Sequence, residues 1–211
     1  MVTPEKTVER LSLYRRLAEE MLREGKMSVF SHQLAEMAGV TSSQVRRDFM
    51  FIGTQGRANT GYNTKELKAG IDQFLVSHEP DGVALVGIGN LGRAVLAFFH
   101  GRRPNLIIKA CFDKDPDKIG RIIHGCRVYS IEDMASVLLS EKINIAIIAV
   151  PRAFAQETAE KLIQAGVNGI VNFAPVPLNV PGNVYVDNVD FTMSLEKVAH
   201  FARKQKIVSE I

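Results

Sequence analysis

The sequence has no tryptophan and only two cysteines, Cys111 and Cys126, in its 211 residues. With no CxxC spacing between them, they support neither a disulfide framework nor a zinc ribbon. No charge of one sign dominates: 26 Lys+Arg stand against 23 Asp+Glu, a net +3. Bulk electrostatics therefore do not argue for a nucleic-acid partner, and any such reading must rest on local pattern. Long apolar runs are absent too. The longest, from Ile143 to Pro151, is far too short for a bilayer and contains Asn144. The opening MVTPEKTVER is charged and lacks the apolar centre of a secretory signal, so a cytoplasmic location and no membrane partner are expected. There is no internal repeat and no low-complexity tract. What is present is ordinary for a folded protein, at 46% hydrophobic residues. The length suffices to bury a core without metal or disulfide staples.

The pattern changes character near residue 80. Up to about Ser77 it is helical and polar-faced; the turn-rich Glu79-Pro80-Asp81-Gly82 follows. Beyond it, β-branched apolar runs recur at Val83 to Val86, Leu106 to Phe112, Ile143 to Val150, Gly169 to Phe173 and Val184 to Val186. Helical patterns lie between them, at Leu91 to Phe99, Ile131 to Ser140 and Ala153 to Ala165. This alternation predicts a parallel sheet covered by helices, an α/β fold. A last helix is expected from about Ser194 to Val208. Leu195, Val198, Ala199 and Ala202, extended by Phe191 and Phe201, give it an apolar face suited to a dimer. The expected organisation is an N-terminal domain over 1–80, a sheet domain over 81–190 and a dimerisation helix over 191–211.

The sharpest motif is Gly87-Ile88-Gly89-Asn90-Leu91-Gly92, which follows one predicted strand and opens a helix. In a dinucleotide-binding turn the first glycine allows the tight bend and the second lets the backbone approach a pyrophosphate. The third lets the helix pack close to the strand, and the helix N-terminus faces the phosphates. Asp113 closes the next predicted strand, where an acid would accept hydrogen bonds from the ribose hydroxyls and favour NAD(H) over NADP(H). Lys114 beside it and Arg93 pull the other way. Val150-Pro151 and Asn172-Phe173-Ala174-Pro175 follow later strands and are expected near the nicotinamide, as apolar walls with one amide. No Tyr-xxx-Lys dyad, HExxH or Ser-His-Asp arrangement accompanies them, and nothing places His100 or His124 beside the ring. The domain reads as a holder of cofactor, with no catalytic residue and no metal. Cys111 reads as a buried small hydrophobe; Cys126, in His124-Gly125-Cys126-Arg127, reads as exposed and oxidisable, and neither is assigned a role.

In the N-terminal part, Thr3-Pro4-Glu5 predicts a helix start with a capping hydroxyl, and Gly25 an end. Ser31 is expected to cap a second helix, which Gly39 closes. Thr41-Ser42-Ser43-Gln44 reads as a capping box opening a third. Two short helices around a glycine turn form a helix-turn-helix pattern. On the third helix Ser42, Ser43, Arg46 and Arg47 are free to meet phosphates or base edges, and Gln44 either caps the helix or reads a base. Gly53 to Tyr62, with three glycines and Arg57, predicts a β-hairpin wing whose arginine enters a minor groove.

Taken together, Val40 to Asp48, the glycine wing through Gly61-Tyr62, Gly87 to Gly92, Val150-Pro151-Arg152, Asn172 to Pro175 and Asn188-Val189-Asp190-Phe191 resemble the Rex redox-sensing transcriptional repressors of bacteria. The resemblance implies a winged helix-turn-helix domain joined to a Rossmann domain, in a homodimer whose C-terminal helix reaches across to the partner subunit. It implies that NADH releases a palindromic DNA operator, that NAD+ competes, and that the controlled genes serve anaerobic or fermentative metabolism. Carried over by position, Tyr62 belongs to the DNA-binding wing, and Arg16 and Asp190 form a pair that exchanges between states. Phe98 stands where many members carry a tyrosine near the nicotinamide. Two other classes remain to be separated by experiment: an NAD-dependent oxidoreductase, and a CoA- or nucleotide-binding module whose N-terminal helices bind protein.

Overall fold

Helix α1 (Glu5–Arg23) buries Leu11, Tyr14, Ala18 and Met21, the three-to-four-residue spacing that puts one stripe of a helix into a core. The coordinates are a computed structural model describing residues 3–57, 59–76, 80–101 and 105–209; Ala58 of the expected wing, and Ser77 and Glu79 near the expected boundary, lie outside them. The chain divides into the units Met1–His78 and Glu79–Ile211.

In the first unit, α1 is followed by strand β1 (Ser28–Val29), α2 (Ser31–Ala38), α3 (Ser42–Phe51), β2 (Tyr62–Asn63) and α4 (Thr64–Leu75). Their core joins Leu11, Tyr14, Leu34, Val45, Phe49, Leu67 and Ile71. The cap of α1 is Pro4, with no side-chain hydrogen bond, so the expected capping hydroxyl is not used. Phe30, not Ser31, caps α2, and its N–H donates to the Gln33 side chain. The expected hairpin wing takes another form. Tyr62–Asn63 pairs antiparallel with Ser28–Val29, far upstream, and the loop itself closes through the backbone of Arg57 and Gly61. Gly61 has φ +69°, and a Cβ there would run into the Val29 carbonyl. Glycine is therefore required where the two strands meet.

The second unit is a seven-stranded sheet. Strands β3 (Asp81–Val86), β4 (Leu106–Asp113), β5 (Ile122–Ile123), β6 (Cys126–Ser130), β7 (Ile145–Ile148), β8 (Gly169–Asn172) and β9 (Tyr185–Asn188) lie in the order β5-β6-β4-β3-β7-β8-β9. All pairings are parallel except β5 with β6. With the edge strand β5 set aside, chain order across the sheet reads 3-2-1-4-5-6, the doubly wound dinucleotide-binding arrangement. Alternation along β3 sends Ala84 and Val86 to one core and Val83 and Leu85 to the other. The first core is closed by α6 (Met134–Ser140) and α7 (Arg152–Gln164), the second by α5 (Asn90–Phe99). The chain ends in α8 (Phe191–Ser209). No described helix is long and apolar enough to cross a membrane.

Candidate functional site

Ligands of such sheets bind where the strand order reverses, beyond the carboxyl ends of the strands. Here that point lies between β3 and β7. After β3 comes Gly87, at φ +94°; a Cβ on it would stand 2.5 Å from the Ala149 carbonyl oxygen, in the loop that follows β7. Gly89 caps α5 and has open space where its side chain would be, while a Cβ on Gly92 would collide with the Gly87 carbonyl. The three glycines thus do three jobs: bend, clearance and close packing. The first N–H groups of α5 have no intrahelical partner, and Gly89, Asn90 and Leu91 bring them to the wall of a cavity of about 630 Å³. Val150, Pro151, Asp113 and Lys114 line the same cavity, as do Lys118, Phe154 and Thr158.

Asp113 is buried at the end of β4. Its Oδ2 accepts from the Ile88 N–H at 2.7 Å and from the Lys118 ammonium at 3.1 Å, and its Oδ1 accepts from the Asp115 N–H at 3.0 Å. Burial pushes this carboxyl up, and the donors outweigh it, so it lies below its ordinary value. The carboxylate is therefore fixed in place and ionised. Ile88, expected among the cofactor-binding residues, plays another part: its side chain is in the core and its N–H is given to Asp113. Lys114 holds its ammonium 3.9 Å from the centre of the Phe154 ring. Lys118, Phe154 and Thr158 escaped sequence reading. Asp113-Lys114 followed by Lys118 was a visible signal for the first, whereas the two α7 residues reach the cavity only through the sheet order.

The expected nicotinamide end is arranged differently. Ala174 and Pro175 line a separate cavity of about 550 Å³ with Asn188, Asp190 and Met193, apart from Val150 and Pro151. Asn172 is fully buried. It donates to the Val176 carbonyl and to Asn188 Oδ1, both at 2.8 Å, and accepts from the Ala174 N–H at 3.0 Å. Its amide braces the turn, and the expected wall amide is committed to that work. Phe173 stacks on Phe191, ring centres 6.0 Å apart. Phe98 stands on α5, 51% exposed and outside both cavities. Asp190 accepts from the Met193 N–H at 3.0 Å at the start of α8. Arg16 is exposed on α1.

On the first unit, Thr41 caps α3 by accepting from the Gln44 N–H at 3.2 Å. The expected capping box is half made, because the Gln44 amide turns to Asp48 at 2.9 Å instead. Asp48 is the buried hub of this region. Arg10 donates to both its oxygens, at 2.6 and 2.8 Å, and Tyr14 donates its hydroxyl at 3.2 Å. Burial pushes the Asp48 carboxyl up, and Arg10, Gln44 and Tyr14 together bring it below its ordinary value. The Gln44 side chain, half-buried, thus gives one amide N–H to Asp48. Arg46 is exposed and held by Ser31 at 3.1 Å and Ser43 at 3.3 Å; Ser42 is half-buried, and Arg47 and Arg57 are exposed. Tyr62, expected on the DNA-binding wing, is only 8% exposed and packs edge-on against Phe49, so its ring supports the wing from within.

Comparison with known proteins places both units. The "CoA binding domain" family matches residues 78–176, and the family described as "Putative DNA-binding protein N-terminus" matches 3–49. A redox-sensing transcriptional repressor Rex from Desulfitobacterium hafniense is 42% identical over 92% of this chain and 92% of its own. The chain belongs to the Rex family. A solved Rex-family repressor, RSP in complex with beta-NAD+ and operator DNA, superposes with TM-score 0.90 at 30% identity, covering 100% of this chain and 97% of that one. RSP in complex with beta-NADH gives 0.86 at 30% identity, over 100% and 99%.

Proposed function

We propose that this Rex-family chain is a cytoplasmic, NADH-responsive repressor in which α3 and its neighbouring loop hold operator DNA and the cleft after β3 and β7 receives the dinucleotide. It is a regulator, not an enzyme. The observation that carries the reading is one chain bearing both a glycine-lined dinucleotide cleft closed by a fixed carboxylate and a helix-turn-helix with outward arginines. It is matched end to end by a repressor solved with NAD+ and operator DNA.

The cleft fits the dinucleotide on its own chemistry. Gly89 leaves room for backbone approach, the α5 N-terminus favours phosphates, and Asp113 offers a carboxylate at the edge of the cavity. A bound nicotinamide supplies the signal itself, a ring that is charged when oxidised and neutral when reduced. Phe98, Val150, Pro151 and the turn from Asn172 through Phe173 and Ala174 to Pro175 are the surrounding we assign to that ring. Apolar walls there disfavour the charged form by desolvation, and the Asp190 carboxylate, on the cavity that Ala174 and Pro175 line, pulls the other way. Phenylalanine at 98 keeps an aromatic ring and lacks the tyrosine hydroxyl that the family resemblance leads one to expect there.

The partner is a second copy. Helix α8 exposes Phe191, Met193, Leu195, Val198 and Phe201, a stripe too apolar to leave in water on a stable monomer. Two recognition helices then meet a palindrome whose half-sites lie about 34–36 Å apart or a multiple of that. A rearrangement that spoils this separation releases the DNA, with Arg16 and Asp190 as the exchanging pair. Gel-shift titration on palindromic DNA tests the reading: complex should be lost on adding NADH and kept with NAD+, and indifference to both nucleotides would count against it. The match to the CoA binding domain favours a second ligand, and calorimetry with CoA against NADH separates the two.

A further inference from the structure

We propose that Cys111 and Cys126 form a reversible disulfide site closed by hydroperoxides, and that closure weakens nucleotide binding by disturbing the end of β4 that carries Asp113. The two residues sit on adjacent strands, and the Cys111 S–H donates to Cys126 Sγ at 3.2 Å. A disulfide needs about 2.05 Å, so the sulfurs must approach by a little over 1 Å. Both thiols are buried, at 0% and 4% exposure, in one apolar cluster with Leu85, Leu96 and Val128, so Cys126 is not the exposed thiol that its loop setting suggests. No cluster of three or more His, Cys, Asp and Glu side chains suited to a metal occurs among the described residues, so the pair is not part of a metal site there.

Access comes from the sheet edge. Cys126 begins β6 directly after the exposed turn His124–Gly125, whose φ angles of 45° and 78° close the β5–β6 hairpin. Leu96 and Ile108 pack against the cysteine cluster and also line a cavity of about 530 Å³ that His124 and Gly125 share. Opening a two-residue edge strand costs far less than global unfolding. The hydrogen bond from Cys111 holds the Cys126 thiol below its ordinary range, while the same bond and burial push Cys111 up.

The chemistry balances as two thiols plus one hydroperoxide giving one disulfide, water and an alcohol or second water. The Cys126 thiolate attacks the peroxide, the O–O bond breaks, and the departing oxygen takes up a proton, leaving Cys126 as sulfenic acid. The Cys111 sulfur then attacks that sulfur; the S–S bond forms, the S–O bond breaks, and hydroxide leaves with the Cys111 proton as water. The register partner of Cys111 is Val128, two residues beyond Cys126, so the new bond runs diagonally and draws β6 along β4. Asp113 pairs with Ser130 on the same two strands, two residues further on. The effect on nucleotide rests on the function proposed above; the disulfide does not.

The test treats reduced full-length protein with hydrogen peroxide, then alkylates it under denaturing conditions. Both alkylatable thiols should disappear together. Tryptic peptides Ala110–Lys114 and Ile122–Arg127 should be found joined, and dithiothreitol should restore both thiols. NADH affinity by calorimetry should fall about tenfold on oxidation, the scale of one charge-assisted hydrogen bond. Cys111→Ser should stop at a dimedone-reactive Cys126 and hold its NADH affinity through the treatment. Thiols that stay alkylatable, a disulfide formed only between chains, or a 111–126 disulfide with unchanged NADH affinity would each overturn the proposal. Reduced protein that binds no NADH at all would sink the nucleotide reading instead, with the thiol count still deciding the disulfide.

Discussion

Asp113 and Asp48 are both buried carboxylates held below their ordinary range, and their surroundings assign them opposite tasks. Asp113 faces a cavity with Lys118 beside it, so its charge is available to a ligand. Asp113→Ala should weaken NADH binding by about tenfold or more, the cost of losing hydrogen bonds to a charged group. Operator binding without nucleotide should persist, as anisotropy titrations would reveal; equal loss in both assays would instead point to a collapsed loop around Ile88. Asp48 is clamped from every side by protein. Arg10 is partly exposed, and hydrogen bonds to a charged group contribute about 1.5–3 kcal/mol, so Arg10→Ala should lower the denaturant midpoint by that order. Because the folded pKa of Asp48 lies below its unfolded value, the clamp stabilises fully above the ordinary value of 3.8 and fades as pH falls through the folded one. Thermal melts of the wild type should therefore lose stability below about pH 4 more steeply than those of Asp48→Asn. Parallel curves would remove Asp48 from the account.

Among the elements, α3 and the loop after it invite separation of phosphate contacts from architecture. Arg46→Ala and Arg57→Ala should weaken operator binding by about 1–3 kcal/mol, lower the salt slope where a phosphate contact is lost, and leave NADH affinity intact. Unchanged binding in both variants would move the DNA face elsewhere. This element also shows what the sequence disclosed and what it withheld. The apolar spacing of α1, the Thr41 cap and the outward arginines of α3 are local facts, readable in one stretch. The strand partner of Tyr62–Asn63 is not, because Ser28–Val29 lies a whole helix-turn-helix upstream. Likewise Gly87 to Gly92 and Asp113 could be read in line. Strand β6 could not, since Cys-Arg-Val-Tyr-Ser carries too few apolar residues to stand out, and Phe154 and Thr158 reach the cleft only because β7 follows β3 across the sheet. Gln44 and Asn172 were visible as polar residues at the right places, but Gln44 gives one N–H to Asp48, and the buried Asn172 amide is spent on Asn188 and the turn around Pro175.

At the scale of the whole molecule, the exposed stripe of α8 makes a prediction that neither unit makes alone. Replacing Leu195 and Val198 together by glutamate should convert the protein to monomers in analytical ultracentrifugation. It should abolish tight binding to a full palindrome and preserve NADH binding in the cleft. Retained dimers would mean that another surface joins the copies. The same stripe bears on how the cell reads this regulator. If each copy must find its twin before two reading heads grip one palindrome, occupancy climbs with the square of a scarce protein's abundance. Repression then engages over a narrow threshold in copy number, and dilution at cell division would release the genes even with no change in coenzyme.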